Sequence, residues 1–209
     1  MQIDMNKLTP MMKQYLEVKN RYKDCILFFR LGDFYEMFFE DALVASKALE
    51  IALTGKACGL EERAPMCGVP FHSANSYISK LVENGYKVAI GEQMEDPSTA
   101  KGIVRREVIR VITPGTVLDG NLLENKKNNY LLSLYKDGTN IGLTYVDIST
   151  GETNATCLNE DKVIEEIAKI HPTEIIINDL DFIEKLRDIA TVSNIYINES
   201  FSDNYLDIN

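Results

Sequence analysis

CILFFRLGDFYEMFFEDALVASKALE, residues 25–50, decides the fold of the first half of this chain. Its opening run, Cys25 to Leu31, is apolar and rich in β-formers, which predicts a short buried strand. Gly32 and Asp33 break that run. Beyond them Met37, Leu43, Ala45 and Leu49 sit among Glu40, Asp41 and Lys47 without Gly or Pro, a pattern that favours a helix reaching about Glu50. Between strand and helix stands the triplet Phe34, Tyr35, Glu36. In an extended or turn conformation residues two apart project to the same side, so Phe34 and Glu36 would present an aromatic plate and a carboxylate together. One can stack while the other hydrogen-bonds. If the helix begins early instead, Phe34 and Phe38 are helix-spaced core residues, and the triplet alone leaves both alternatives open.

Upstream, Thr9 and Pro10 form a helix start, and Met12, Tyr15, Leu16 and Val18 give that helix an apolar face. Downstream, the chain from Ile51 passes from a short strand into a loop punctuated by Gly55, Gly59, Pro65, Gly68 and Pro70. Ser73 to Asn84 repeats an amphipathic helical pattern closed by Gly85, and KVAIGEQ and REVIRVIT read as two further strands. Residues 1–113 are thus expected to form one mixed-sheet domain with helices and strands interleaved. Residues 114–128, with Pro, Gly and several Asn, are expected to be a linker. From residue 129 to 209 three strand candidates, Tyr130 to Tyr135, Ile141 to Asp147 and Thr153 to Leu158, precede helix Asp161 to Ile170, strand Glu174 to Ile177, helix Asp181 to Asp188 and strand Val192 to Ile197. The order βββαβαβ is compatible with a ribonuclease-H-like α/β sheet. The fold class expected for the whole chain is therefore α/β, in two domains.

The bulk numbers fit that picture. At 209 residues, 45% hydrophobic and 26% charged, the chain can bury two ordinary cores. No stretch approaches the roughly 18 apolar residues of a membrane span, and MQIDMNKLT is no signal segment, so a cytoplasmic protein without a membrane partner is expected. Cys25, Cys58, Cys67 and Cys157 lack zinc-site spacing and read as reduced thiols, with no metal site expected. The net charge of −10 taken as a whole disfavours a polyanionic partner. However, residues 1–115 hold 15 Lys plus Arg against 15 Asp plus Glu, and the remainder holds 7 against 17. All the excess acid lies in the second half, which leaves the first free to approach phosphates.

Five strings occur in one order at close spacing: TPMMKQYLEVKN, FFRLGDFYEMFFEDA, APMCGVPFHS, VAIGEQMEDP and VIRVITPGT. Together they resemble the MutS family of DNA mismatch-recognition proteins, and the second half, with NNYLLSLY and GLTYVDISTGE, is similar to the connector domain that follows in that family. The resemblance implies a clamp-like homodimer on double-stranded DNA containing mismatches or small loops, with a Phe inserted from the minor groove. Phe34 matches that wedge. Glu36 matches the carboxylate that hydrogen-bonds the displaced base, and nothing in GDFYEMF departs from the pattern. By similarity the loop carrying Met66, Gly68, Pro70 and His72 is expected near the groove, with Met66 as a second apolar contact. The connector is expected to dock a downstream repair protein.

An aromatic wedge must unstack a base step at a few kcal/mol and kink the duplex by roughly 20 to 90°, while stacking on a ring returns about 1 to 3 kcal/mol per base. The terms nearly balance, so the yielding of the DNA decides, and a mispaired step yields more readily than a matched one. A carboxylate in a desolvated groove beside phosphates tends to take up a proton, and then donates to a purine ring nitrogen. Left ionised, it repels correctly paired duplex and sharpens the choice.

Phosphate-contact candidates are scattered: Lys56, Lys101, Arg105, Arg106 and Arg110, with Arg106 and Arg110 sharing strand parity. No GxxxxGK[ST] loop occurs, so no ATP site is expected within these residues. The family's ATPase is C-terminal, so ATP and Mg are expected only in the full-length parent, of which this chain resembles a fragment ending in or just after the connector. Two rival functions have a footing in the second half. Asp147 on a strand is the one well-placed residue for a metal-dependent nuclease, and the acidic surplus suits a protein-docking module.

Overall fold

In the computed structural model, residues 4–96, 102–117 and 128–199 are described. Contacts divide the chain into two compact units between Ile112 and Thr113.

In the first unit, helix α1 (Pro10–Arg21) leads into strand β1 (Cys25–Leu31), which turns at Gly32 into β2 (Phe34–Phe38) and then helix α2 (Phe39–Leu49). Strands β3 (Thr54–Lys56) and β4 (Ala64–Pro70), helix α3 (Ala74–Glu83) and strands β5 (Lys87–Gln93) and β6 (Arg106–Ile112) complete it. The sheet runs β3-β4-β2-β1-β5-β6, with only β1 and β5 parallel. β1 is central and covered on both sides, which is why its sequence is a continuous apolar run and not an alternation. On one face Cys25, Leu27, Phe29 and Phe38 pack under Met12, Tyr15 and Val18 of α1. The other face is covered by α2 and α3, and Cys67 Sγ there lies 3.6 Å from the Ala42 carbonyl.

The helix expected to start near Met37 starts later. Strand β2 pairs with both β1 and β4, and Phe38, completely buried, is drawn beneath Tyr15 at a ring separation of 5.0 Å. Burying such a ring is worth about 1.5 to 3 kcal/mol, more than helical propensity offers over a few residues. The chain changes direction at Phe39, whose φ of 52° lies in the left-handed region that a bulky residue rarely adopts. Asp41 secures this corner. Its carboxylate accepts from the Tyr15 hydroxyl at 2.9 Å and from the Leu27 amide at 3.0 Å, with Lys19 at 2.8 Å.

Of the expected linker 114–128, residues 118–127 lie outside the described residues, and 114–117, with a short 3₁₀ turn at Pro114–Thr116, pack with the second unit. The reason is a buried carboxylate: Glu174 accepts from the Gly115 amide at 2.9 Å and from Asn198 at 2.9 Å. The sheet contains β7 (Tyr130–Asp137), β8 (Asn140–Asp147), β9 (Thr153–Asn159), β10 (Glu174–Ile177) and β11 (Tyr196–Asn198), with helices α4 (Glu160–Ile170) and α5 (Leu180–Ser193). Its order is β11-β10-β7-β8-β9, with β8 alone antiparallel to the rest, which is the ribonuclease-H-like arrangement. Leu132, Leu134, Ile141 and Leu143 meet Val163, Ile167, Phe182 and Leu186 in its core. Helix α5 runs through Val192, where a strand was expected. Among the described residues no helix is long and apolar enough to cross a membrane.

Candidate nucleic-acid interface

The β1–β2 turn is as tight as a hairpin can be. Leu31 pairs with Phe34, leaving Gly32 and Asp33 as the two turn residues, and Gly32 has a φ of +59°. A positive φ at the first turn position matches the twist of the flanking strands and suits glycine. The first residue beyond is Phe34, 46% exposed, whereas Tyr35, Met37 and Phe38 of the same strand are buried.

Register then assembles a face. Phe34 lies opposite Pro70, Glu36 opposite Gly68 and Phe38 opposite Met66, and Met66 and Ala64 lie opposite Thr54 and Lys56. Directly paired residues share a side of the sheet, so Phe34, Glu36, Met66, Gly68, Pro70 and Lys56 stand together. The segment expected as a loop is largely strand β4, and its alternation is what brings Met66, Gly68 and Pro70 to this side. Glycine at 68 lets β4 run close beside Glu36: a Cβ there would stand 3.2 Å from the Tyr35 carbonyl oxygen and 3.5 Å from the Glu36 Cγ. His72 follows in an exposed turn, edge-on to Phe71 at 5.9 Å.

Glu36 is not a lone carboxylate. Lys56 Nζ lies 2.5 Å from its Oε2, with the two side chains 34% and 16% exposed, and the same ammonium stands 5.6 Å from the Phe38 ring centre. Arg106 lies within the reach of Glu36's charge, which offsets part of the burial that disfavours the charged guanidinium.

Arg106 itself departs from expectation. It is 7% exposed, donates to the Arg30 carbonyl at 2.5 Å, Gln14 at 3.1 Å and Val104 at 2.8 Å, and lies over Phe29 at 5.2 Å. Its groups serve the protein, so it is not displayed as a surface cation. Nor does it share a side with Arg110: the β5–β6 register shifts at Ile90/Gly91, so Arg106 pairs with Gln93 and Arg110 with Ile90, on opposite sides. A bulge inserts one residue and reverses parity beyond it, here so that both Val108 and Val111 reach the core. Arg105 is exposed and paired to Glu107 at 3.4 Å. Lys101 lies outside the described residues.

Two side chains beside the turn carry no signal in the motif alone. Arg30 lies over the exposed Phe71 ring at 3.6 Å and near Tyr35 at 5.5 Å. The Tyr35 hydroxyl donates to Glu92, and burial together with that carboxylate pushes the phenol up to about 12.

The nuclease alternative loses its residue. Asp147 is 1% exposed and accepts from Ser149 Oγ at 2.6 Å, from the Ser149 amide at 2.9 Å and from the Asn129 amide at 3.4 Å. Among the described residues no group of three or more His, Cys, Asp or Glu is placed to hold a metal ion. Burial pushes the Cys25 and Cys67 thiols up to about 12 and about 11, which makes them poor nucleophiles.

The family profile of MutS domain I matches residues 9–121, and that of MutS domain II matches residues 129–205. The chain belongs to the MutS family. The Acetivibrio thermocellus DNA mismatch repair protein MutS is 65% identical over 178 residues, 83% of this chain and 20% of that protein. Those of Alkaliphilus oremlandii and Clostridium tetani are 61% and 52% identical over 191 and 204 residues, covering 90% and 95% of this chain and 21% and 23% of theirs. The chain spans about a fifth of the length of the curated relatives it matches. The domain I match thus covers the unit carrying the Phe34 face from residue 9 and runs on to residue 121, and the domain II match falls within the ribonuclease-H-like unit.

Proposed function

We propose that this chain reads mismatched DNA in mismatch repair, with Phe34 wedging into the base stack from the minor groove and Glu36 hydrogen-bonding the displaced base. The observation that carries the reading is the selective exposure of Phe34 at a hairpin tip, with Glu36 next along the same side. An exposed ring on a sheet whose other aromatics are sealed forfeits its own burial, a cost that a stacking partner would return. Gly68 and Pro70 keep the side of the sheet beside both groups low, so a flat partner can approach. Lys56 is the cation best placed to meet a phosphate, and if it moves to one, the carboxylate it holds is released towards a base.

In the full-length protein, family membership supports an ATPase with ATP and Mg bound outside these residues, acting as a homodimeric clamp. The acidic second unit is then a docking surface for a later repair protein. The test is heteroduplex binding by that protein with Phe34→Ala. Selectivity for a mismatch over matched duplex should collapse, since the stacking gain of about 1 to 3 kcal/mol is removed. Retained selectivity in the variant would assign recognition to other residues.

A further inference from the structure

We propose that Arg30 is the positioning residue for the exposed Phe34 ring, acting through the turn that carries it. The inference rests on the wedge reading of Phe34.

Arg30 pairs with Tyr35 on the side of the sheet away from Phe34, which pairs with Leu31. It does not act on the ring by contact. Instead its Nε donates to the Gly32 carbonyl at 2.5 Å, and the other turn carbonyl, that of Asp33, accepts from the Phe71 amide at 2.9 Å. The two anchors are joined, because the Arg30 guanidinium carbon lies over the Phe71 ring, 3.6 Å from its centre. The Tyr35 ring centre lies 5.5 Å and the Glu92 carboxylate 3.8 Å from the guanidinium, and the Tyr35 hydroxyl donates to the same Glu92 oxygen. Both carbonyls of a two-residue turn are thereby tied to one plate of stacked groups.

Such a tie is needed because Phe34, half out of the protein, has little packing of its own to fix its direction. A wedge on a loose tip would lose its freedom at every insertion, and that ordering cost subtracts from mismatch binding. A clamped turn has already met it. The job also calls for arginine in particular: the planar guanidinium stacks on a ring while its edge donates to a carbonyl, whereas the compact lysine ammonium supplies charge without the plane.

The test uses the full-length protein with Arg30→Lys and Phe71→Leu, each also combined with Phe34→Ala. Affinity for mismatched and matched duplex is measured by fluorescence anisotropy, base unstacking by 2-aminopurine beside the mismatch, and thermal unfolding in parallel. Arg30→Lys should lower the mismatch-to-match affinity ratio about three- to tenfold, the size of a partly exposed cation–π contact. Mismatch unstacking should weaken with it, matched-duplex affinity should hold, and Phe71→Leu should reproduce the loss. In the Phe34→Ala background Arg30→Lys should add nothing, as expected for two residues acting as one unit. A wild-type ratio in Arg30→Lys, or equal loss on matched and mismatched duplex, overturns the proposal while leaving the wedge standing. A normal ratio in Phe34→Ala alone overturns the wedge reading and this inference with it.

Discussion

Glu36 and Asp147 are both carboxylates on strands, and each had a functional reading from sequence, yet their surroundings are opposite. Asp147 is enclosed by a hydroxyl and backbone amides that belong to its own turn and the preceding strand end. Those donors cannot leave without unfolding the β8–β9 connection, so the charge is structural. Glu36 is held by one lysine ammonium on a flexible stem that is itself about a third exposed, 34% against 16% for the carboxylate side chain. In the proposed reading that partner swings to a phosphate and frees the charge. The kind of partner, donors of the residue's own turn or one long side chain from another strand, separates the two more sharply than burial does.

That contrast can be broken experimentally, starting where the effect is largest. Asp147→Asn should destabilise the second unit by about 1.5 to 3 kcal/mol, the range for a buried hydrogen-bonded charge, read as faster amide exchange across residues 140–159. The Ser149 hydroxyl, with backbone amides adding to it, holds the Asp147 carboxyl below its ordinary range. The sign follows from that: its stabilisation is complete above the unfolded carboxylate value of about 3.9 and is lost as pH falls through the lower folded value. The Asn variant should lack this acid-side loss, and an unchanged acid unfolding profile would show that Asp147 is no anchor.

A smaller effect is expected at the movable carboxylate. Glu36→Gln should bind matched duplex more tightly by about 1 kcal/mol, the scale of one short-range charge repulsion in water, and discriminate less. Discrimination equal to wild type in a homoduplex and heteroduplex titration would count against a repulsive role. The smallest change is expected from Lys56→Met, whose loss from a partly exposed ion pair should cost under about 1 kcal/mol of folding stability. The same variant should weaken binding alike on matched and mismatched DNA and reduce the salt dependence by about one phosphate contact. A large stability loss would make Lys56 a structural residue like the donors around Asp147.

Much of this molecule was legible in its residues. The continuous apolar run Cys25 to Leu31 announced a strand covered on both sides, the βββαβαβ order announced the second sheet, and the two-residue spacing of Phe34 and Glu36 offered a shared side if the segment was extended, which left the helical alternative open. These are local signals, carried by periodicity and turn residues close in sequence. What stayed hidden depends on partners distant in the chain. Phe34 to Phe38 became a strand because β1 and β4 flank it, and no propensity within the pentapeptide records those neighbours. Arg106 turned inward because a bulge in β6 reverses parity, and Glu36 found Lys56 only through the pairing of β2 and β3 with β4 between them. Sequence by itself determined which residues are candidates; the tertiary structure decided which of them are exposed, paired or spent, because register and burial are set by contacts that span the sheet.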